Sequence, residues 1–145
     1  MTNENNNPPT DERSEVTRKS PEELAQDLTC YSGLNLYTPY GLGISHLTEG
    51  VKYLAQQAQC YWLLDAIGSY QGELAKHHDE RLQCLQFWRL KVNADQSAVL
   101  TCVADSGEPP AVTQEIAWTD FPLPEIDIWV GVEEKTKIAL LPSEY

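Results

Sequence analysis

Asp65 is the side chain with most chemical promise in this sequence. It stands three residues after Trp62 and seven after Ala58, which at helical spacing sets a carboxylate on an otherwise apolar face. Such a carboxylate is either hydrogen-bonded by buried donors, fixing the packing, or held as an acid–base group. The expectation is the first: Asp65 buried and hydrogen-bonded. Acid–base work would recruit Ser69, one turn on, or the more distant His46. No Ser or Cys has the glycine flanks of a nucleophile elbow, and no two carboxylates have motif spacing. His77-His78-Asp79 is a weak metal motif, because adjacent helical histidines point about 100° apart. Gly41 and Gly43 lack the strand-to-helix pattern of a nucleotide fingerprint. Cys30, Cys60, Cys84 and Cys102 lie 30, 24 and 18 positions apart with no Cys-x-x-Cys pair. They are expected to be reduced, small buried hydrophobes. No catalytic residue, metal ligand or cofactor site is expected from these patterns. Asp120, between Trp118 and Phe121, reads as a turn-forming carboxylate or as part of a binding loop framed by aromatics.

Charge is more informative than any motif. Ten Lys and Arg stand against 22 Asp and Glu, a net charge of −12. From Val92 to Glu134 there is no Lys or Arg, while Asp95, Asp105, Glu108, Glu115, Asp120, Glu125, Asp127, Glu133 and Glu134 all fall there. A surface this acidic repels phosphate backbones, so direct nucleic-acid binding is not expected. It suits a basic protein surface. No apolar run approaches a membrane span and no signal segment opens the chain, so the expected location is the cytoplasm, without a membrane partner.

The elements around these residues can be read in order. Residues 1–19 are polar and are expected to form a disordered tail, leaving 20–145 as one domain. Ser20-Pro21-Glu22-Glu23 starts a short helix with a capping box, ended by Gly33. Thr48 caps the segment around which the chain is organised, a helix predicted to run unbroken to about Tyr70. Val51, Leu54, Ala55, Ala58, Trp62 and Ala66 share one face, and Tyr53, Cys60, Leu64 and Ile67 the opposite one, so the helix is expected to be covered on two sides. Glu73 to Cys84 could add a further helical segment. From Leu85 the period changes to two. Leu85–Val92, Ala98–Val103, Val112–Trp118, Ile126–Val132 and Lys137–Leu141 read as five strands of an antiparallel meander. On the fourth, Asp127 and Trp129 occupy the second face. The predicted class is α+β, with N-terminal helices, the long core helix among them, packed on one face of an antiparallel sheet of about five strands.

The blocks Thr48-Glu49-Gly50-Val51-Lys52-Tyr53-Leu54-Ala55, Tyr61 to Gln71, Phe87-Trp88-Arg89-Leu90, Thr119 to Leu123 and Leu141-Pro142-Ser143-Glu144-Tyr145 give the chain a resemblance. It resembles, over roughly Cys30 to Tyr145, a family of bacterial proteins carrying a domain of unknown function, common in cyanobacteria and on plasmids, phages and other mobile elements. The resemblance implies that setting and supplies no activity, cofactor or catalytic residue.

Three function classes follow, in this order. The first is a non-enzymatic, acidic protein-binding module of a mobile element, engaging a basic surface on a host or element protein, as a nucleic-acid mimic or inhibitor would. Its candidate partner-binding residues are Asp105, Glu108, Glu115, Asp120, Glu125, Asp127, Glu133 and Glu134. The second is a structural protein that forms a homodimer through exposed aromatics. The third is an enzyme with a site around Asp65.

Overall fold

The change of hydrophobic period at Leu85 divides the molecule as the sequence implies: helices before it, most of the sheet after it. The computed structural model describes residues 19–32, 37–41 and 43–145. The expected disordered tail, up to residue 18, and the expected helix stop at Gly33 lie outside the described residues.

Helix α1, Pro21–Leu28, starts with the capping box read from the sequence, Ser20 and Glu23 each accepting the other's backbone N–H. Two short strands follow, β1 (Tyr37–Pro39) and β2 (His46–Thr48). Thr48 then caps α2, Glu49–Ala58, by accepting the Val51 N–H.

The predicted unbroken helix is not found. Gln59 adopts the left-handed conformation at φ 54° and closes α2, and α3 restarts at Tyr61–Ser69. Packing explains the break. In a continuous helix, Val51, Leu54 and Ala58 would face away from Leu64 and Ile67. Interrupting it at Gln59 and Cys60 brings both apolar sets into one core, so Val51, Leu54, Ala55, Ala58, Leu63, Leu64 and Ile67 are all buried together. Trp62 and Ala66, expected on the buried face, are left half-buried. The segment expected to be helical up to Cys84 is a single turn, α4 (Gln71–Leu74), and a 3₁₀ turn, Glu80–Gln83.

The strands are β3 (Leu85–Val92), β4 (Ala98–Val103), β5 (Val112–Ile116), β6 (Glu125–Glu133) and β7 (Thr136–Leu140). The α+β class holds, but among the described residues the sheet has seven strands, ordered β1-β2-β7-β6-β3-β4-β5, and is mixed because β2 runs parallel to β7. Nor is it a simple meander. The proline-bounded loop after β5 carries the chain across the strand ends, held by the Val92 N–H on the Pro124 carbonyl, and β6 pairs with β3. β1 and β2 were not expected as strands; at three residues each they are too short to show a period.

Two glycines are fixed by close approach. Gly43, at φ +98°, lies where a Cβ would come 2.2 Å from the Gly68 carbonyl oxygen of α3. At Gly50 a Cβ would meet Leu141 at 2.6 Å and the Glu144 carboxylate at 2.8 Å. That carboxylate is buried and closes the fold. It accepts from the Thr48 hydroxyl (2.6 Å), the Gly50 N–H (3.0 Å) and the Leu141 N–H (3.0 Å), so the end of the chain caps α2 from 94 residues away.

Candidate functional site

In a half-buried antiparallel sheet the side chains of one face enter the core and those of the other meet water, so the second face should read polar. Here its central rows do not. On the covered face, Trp88, Leu90, Leu100, Cys102, Ile128, Val130 and Ala139 join the helices in one contiguous core. Strand register places Val103, Phe87, Trp129 and Leu140 side by side across the opposite face. Leu85, Gly131, Ile138 and His46 form the adjacent row. Leu140 is buried, whereas Phe87, Trp129, Leu85 and Ile138 are half-buried and do not join the core cluster. This open face is the candidate site.

Its centre is aromatic. The Phe87 and Trp129 rings meet edge to face at 4.9 Å and 87°, and Tyr145 closes on Trp129 at 5.3 Å and 67°. These are the offsets that the quadrupoles of aromatic rings favour. The Tyr145 side of the group remains open, at 74% exposure. Beside Phe87 and Trp129 lies a concavity of about 320 Å³, bounded by Arg89, Thr101, Asp127 and the Asp105–Gly107 loop.

Charges flank the aromatic row. One row away, Arg89 lies opposite Asp127 and grips it with two hydrogen bonds, Nε to Oδ1 at 2.7 Å and Nη2 to Oδ2 at 3.1 Å. That pairing raises the Arg89 pKa above its ordinary value. Glu125 stands 3.5 Å from the same guanidinium. The next row reads Glu115, Val99, Lys91, Glu125. At the far end of the face, Glu133 lies opposite Thr136.

The acidic span is thus partly neutralised by two arginines from outside it. Arg81 lies 2.6 Å from Glu108, 2.8 Å from Asp79 and 3.9 Å from Asp105. Its hydrogen bond to Asp79 is the main reason that this carboxyl is lowered to about 2. The eight candidate acids do not share one face. Glu115, Glu125, Asp127 and Glu133 line the open face and Asp105 its rim. Glu108 is tied to Arg81, and Glu134 sits in the β6–β7 turn. Asp120 belongs elsewhere, beside Trp62 and Trp118 at the β5 edge of the sheet. Among the described residues, Glu115, Glu133 and Glu134 have no cationic partner.

Asp65 is half-buried, not buried as expected. It accepts a 2.8 Å hydrogen bond from the Tyr40 hydroxyl. Burial, and then this bond, push the Tyr40 pKa up. The Ser69 hydroxyl is turned to the Ala66 carbonyl at 2.6 Å, and His46 lies on β2 against Tyr37. The alternative partners proposed for acid–base work are engaged in these other contacts. His77 and His78 stack at 4.3 Å, and among the described residues no three His, Cys, Asp or Glu side chains gather as metal ligands. Cys60 and Cys102 are buried as expected, but Cys30 and Cys84 are exposed; burial raises the Cys102 thiol to about 12.

Sequence reasoning missed Phe87 as a site residue. The signal was present in β3, where Leu85 and Phe87 are apolar on the face that Arg89 and Lys91 mark as outward. Trp129 had been placed on that second face, beside Asp127.

A helix-backed mixed sheet whose other face carries an aromatic row between carboxylates defines an α+β protein. The model of the family of unknown function DUF6876 matches residues 22–145, and the chain belongs to that family. No curated protein and no solved structure matches it. Among the described residues no helix is long and apolar enough to cross a membrane.

Proposed function

We propose that this protein is a non-enzymatic protein-binding module whose open sheet face engages a cationic segment of a partner. The observation that carries this reading is the aromatic row Phe87–Trp129–Tyr145 set between carboxylates, with Glu115, Glu125 and Asp127 on one side, Glu133 on the other and Asp105 at the rim. Aromatic faces attract Lys and Arg side chains at short range. The net charge of −12 draws a basic partner from further away and speeds its encounter. The same charge argues against self-association through this face and against binding nucleic acid. In the mobile-element setting that the sequence resemblance implies, such a face would occupy the nucleic-acid-binding surface of a host or element protein. A protein of this kind works in the cytoplasm and needs no cofactor.

The test is calorimetric titration with arginine- and lysine-rich peptides, an acidic peptide of equal length as control. Trp129→Ala, and Glu115→Gln with Glu133→Gln and Glu134→Gln, should each weaken binding of the basic peptides, and added salt should weaken it further. Basic peptides that fail to bind, or that bind indifferently to salt and to the neutralised acids, overturn the proposal. So does tight binding of duplex DNA by the purified protein.

A further inference from the structure

A different part of the molecule carries a second surface. The sheet ends in two edge strands, β1 and β5. β1 is three residues long and contains Pro39, and both features discourage another strand from pairing with it. β5, Val112-Thr113-Gln114-Glu115-Ile116, has five residues, no proline and, among the described residues, a strand on one side only. Its outer row of backbone groups is a template for a further strand. Just beyond it Trp118 is 65% exposed, and with Trp62 and Ile116 it bounds a concavity of about 210 Å³.

We propose that β5 pairs antiparallel with β5 of a second copy of this chain, about a two-fold axis through Gln114. The sequence of the strand is complementary to itself in that register. On the helix side, Val112 meets Ile116 of the other copy, and beyond the strand ends the exposed Trp118 comes toward Pro110. On the opposite side, Thr113 meets Glu115, a hydroxyl against a carboxylate, and Ala111 meets Ala117. No charge lies directly opposite a like charge and no large apolar residue opposite a charged one. The faces agree as well. Val112 and Ile116 already pack on the core, and Gln114 accepts a hydrogen bond from the Tyr70 hydroxyl of α3 at 2.8 Å. Pairing in this register therefore continues both the helix side and the open side into the second copy, as an isologous contact requires. A register one residue away would set helix-side residues against the open side.

Sedimentation equilibrium of the intact protein over a range of concentrations tests this, with charge substitutions at the exposed Thr113. Thr113→Lys places an ammonium opposite Glu115 twice in each dimer and should tighten association about tenfold; Thr113→Glu places like charges there and should weaken it by a similar factor. Trp118→Ala should also weaken it. Circular dichroism of each variant confirms that the fold is kept. A chain that stays monomeric at every concentration, its edge left for some other strand, overturns the proposal. So does a dimer whose constant ignores the charge at residue 113, because it must then form elsewhere.

Discussion

Trp88 and Trp129 stand near each other in adjacent strands, one on each face of the sheet, and have opposite surroundings. Trp88 is 1% exposed and donates its indole N–H to Gln86, whose amide exchanges two 2.9 Å hydrogen bonds with Gln71. Gln71 and Gln86 also donate to the Ile67 and Leu82 carbonyls. Every polar group in that network has a partner, which a buried position demands. Trp129 touches Phe87 and Tyr145 but stays outside the core. The covered face is specified by burial and satisfied hydrogen bonds, whereas the open face holds aromatics and ion pairs that folding alone does not call for. An apolar row that the core does not use is where recognition is to be sought.

The sharpest way to break this comparison is to truncate the two tryptophans in parallel. Trp88→Ala should cost about 3–5 kcal/mol, as buried aromatic truncations do, and also strand the Gln86 amide. Trp129→Ala should cost less, about 1–2 kcal/mol, because its half-buried ring gives up part of a buried area and two aromatic contacts, while weakening capture of a cationic peptide. Trp62, half-buried like Trp129, should also lose less than Trp88. Urea denaturation gives the three values. Equal losses for Trp88 and Trp129 would mean that the open face is as much part of the core as the covered one.

Glu144 gives the next largest effect, because it joins the covered face to the end of the chain that brings Tyr145 to Trp129. Glu144→Ala leaves the Thr48 hydroxyl and the Gly50 and Leu141 N–H groups without their acceptor, at a cost of about 2–3 kcal/mol. Gly50→Ala should cost about 1–3 kcal/mol through overpacking against Leu141 and Glu144. If the tail positions Tyr145, both substitutions should also alter the fluorescence of Trp129. A change in stability without that signal would separate the cap from the aromatic row.

Much of this was legible in the sequence wherever the cause is local. The Ser20 capping box, the Thr48 cap and the strand onset at Leu85 follow from neighbours a few residues apart. What was not legible depends on distant partners. The break at Gln59 carries neither glycine nor proline, and is imposed by the need to turn Leu64 and Ile67 toward the same core as Val51. The parallel pairing of β2 with β7 joins segments some 90 residues apart, and no period announces it. At the candidate site, the acidic span was plain, and so was Arg89 on the neighbouring strand as a cation able to reach it through the sheet, but Arg81 was not. Arg81 reaches Glu108 across 27 positions, and Arg89 reaches Asp127 across 38. The expectation of an uncompensated acidic stretch holds only for the carboxylates those two arginines cannot reach.

Arg81 supplies the smallest effect and the finest test of how charge divides between folding and recognition. Its guanidinium lowers Asp79 to about 2, well below the value of about 3.9 in an unfolded chain. A carboxyl depressed on folding stabilises the native state above its unfolded pKa. That contribution fades as the pH falls from about 4 through about 2, where both states become protonated. Arg81→Ala should therefore lower the urea midpoint slightly above pH 4, and the difference from the parent should vanish as the pH approaches 2. The loss stays small because the pair is exposed and screened by salt. Recognition should move the other way. The same substitution frees Glu108, and Asp105 at the rim of the open face, and leaves the aromatic row untouched, so a cationic peptide should bind more tightly at low salt. Weaker peptide binding by Arg81→Ala would show that the arginine itself contributes to the surface. The open face would then be a patchwork of both charges rather than an acidic one.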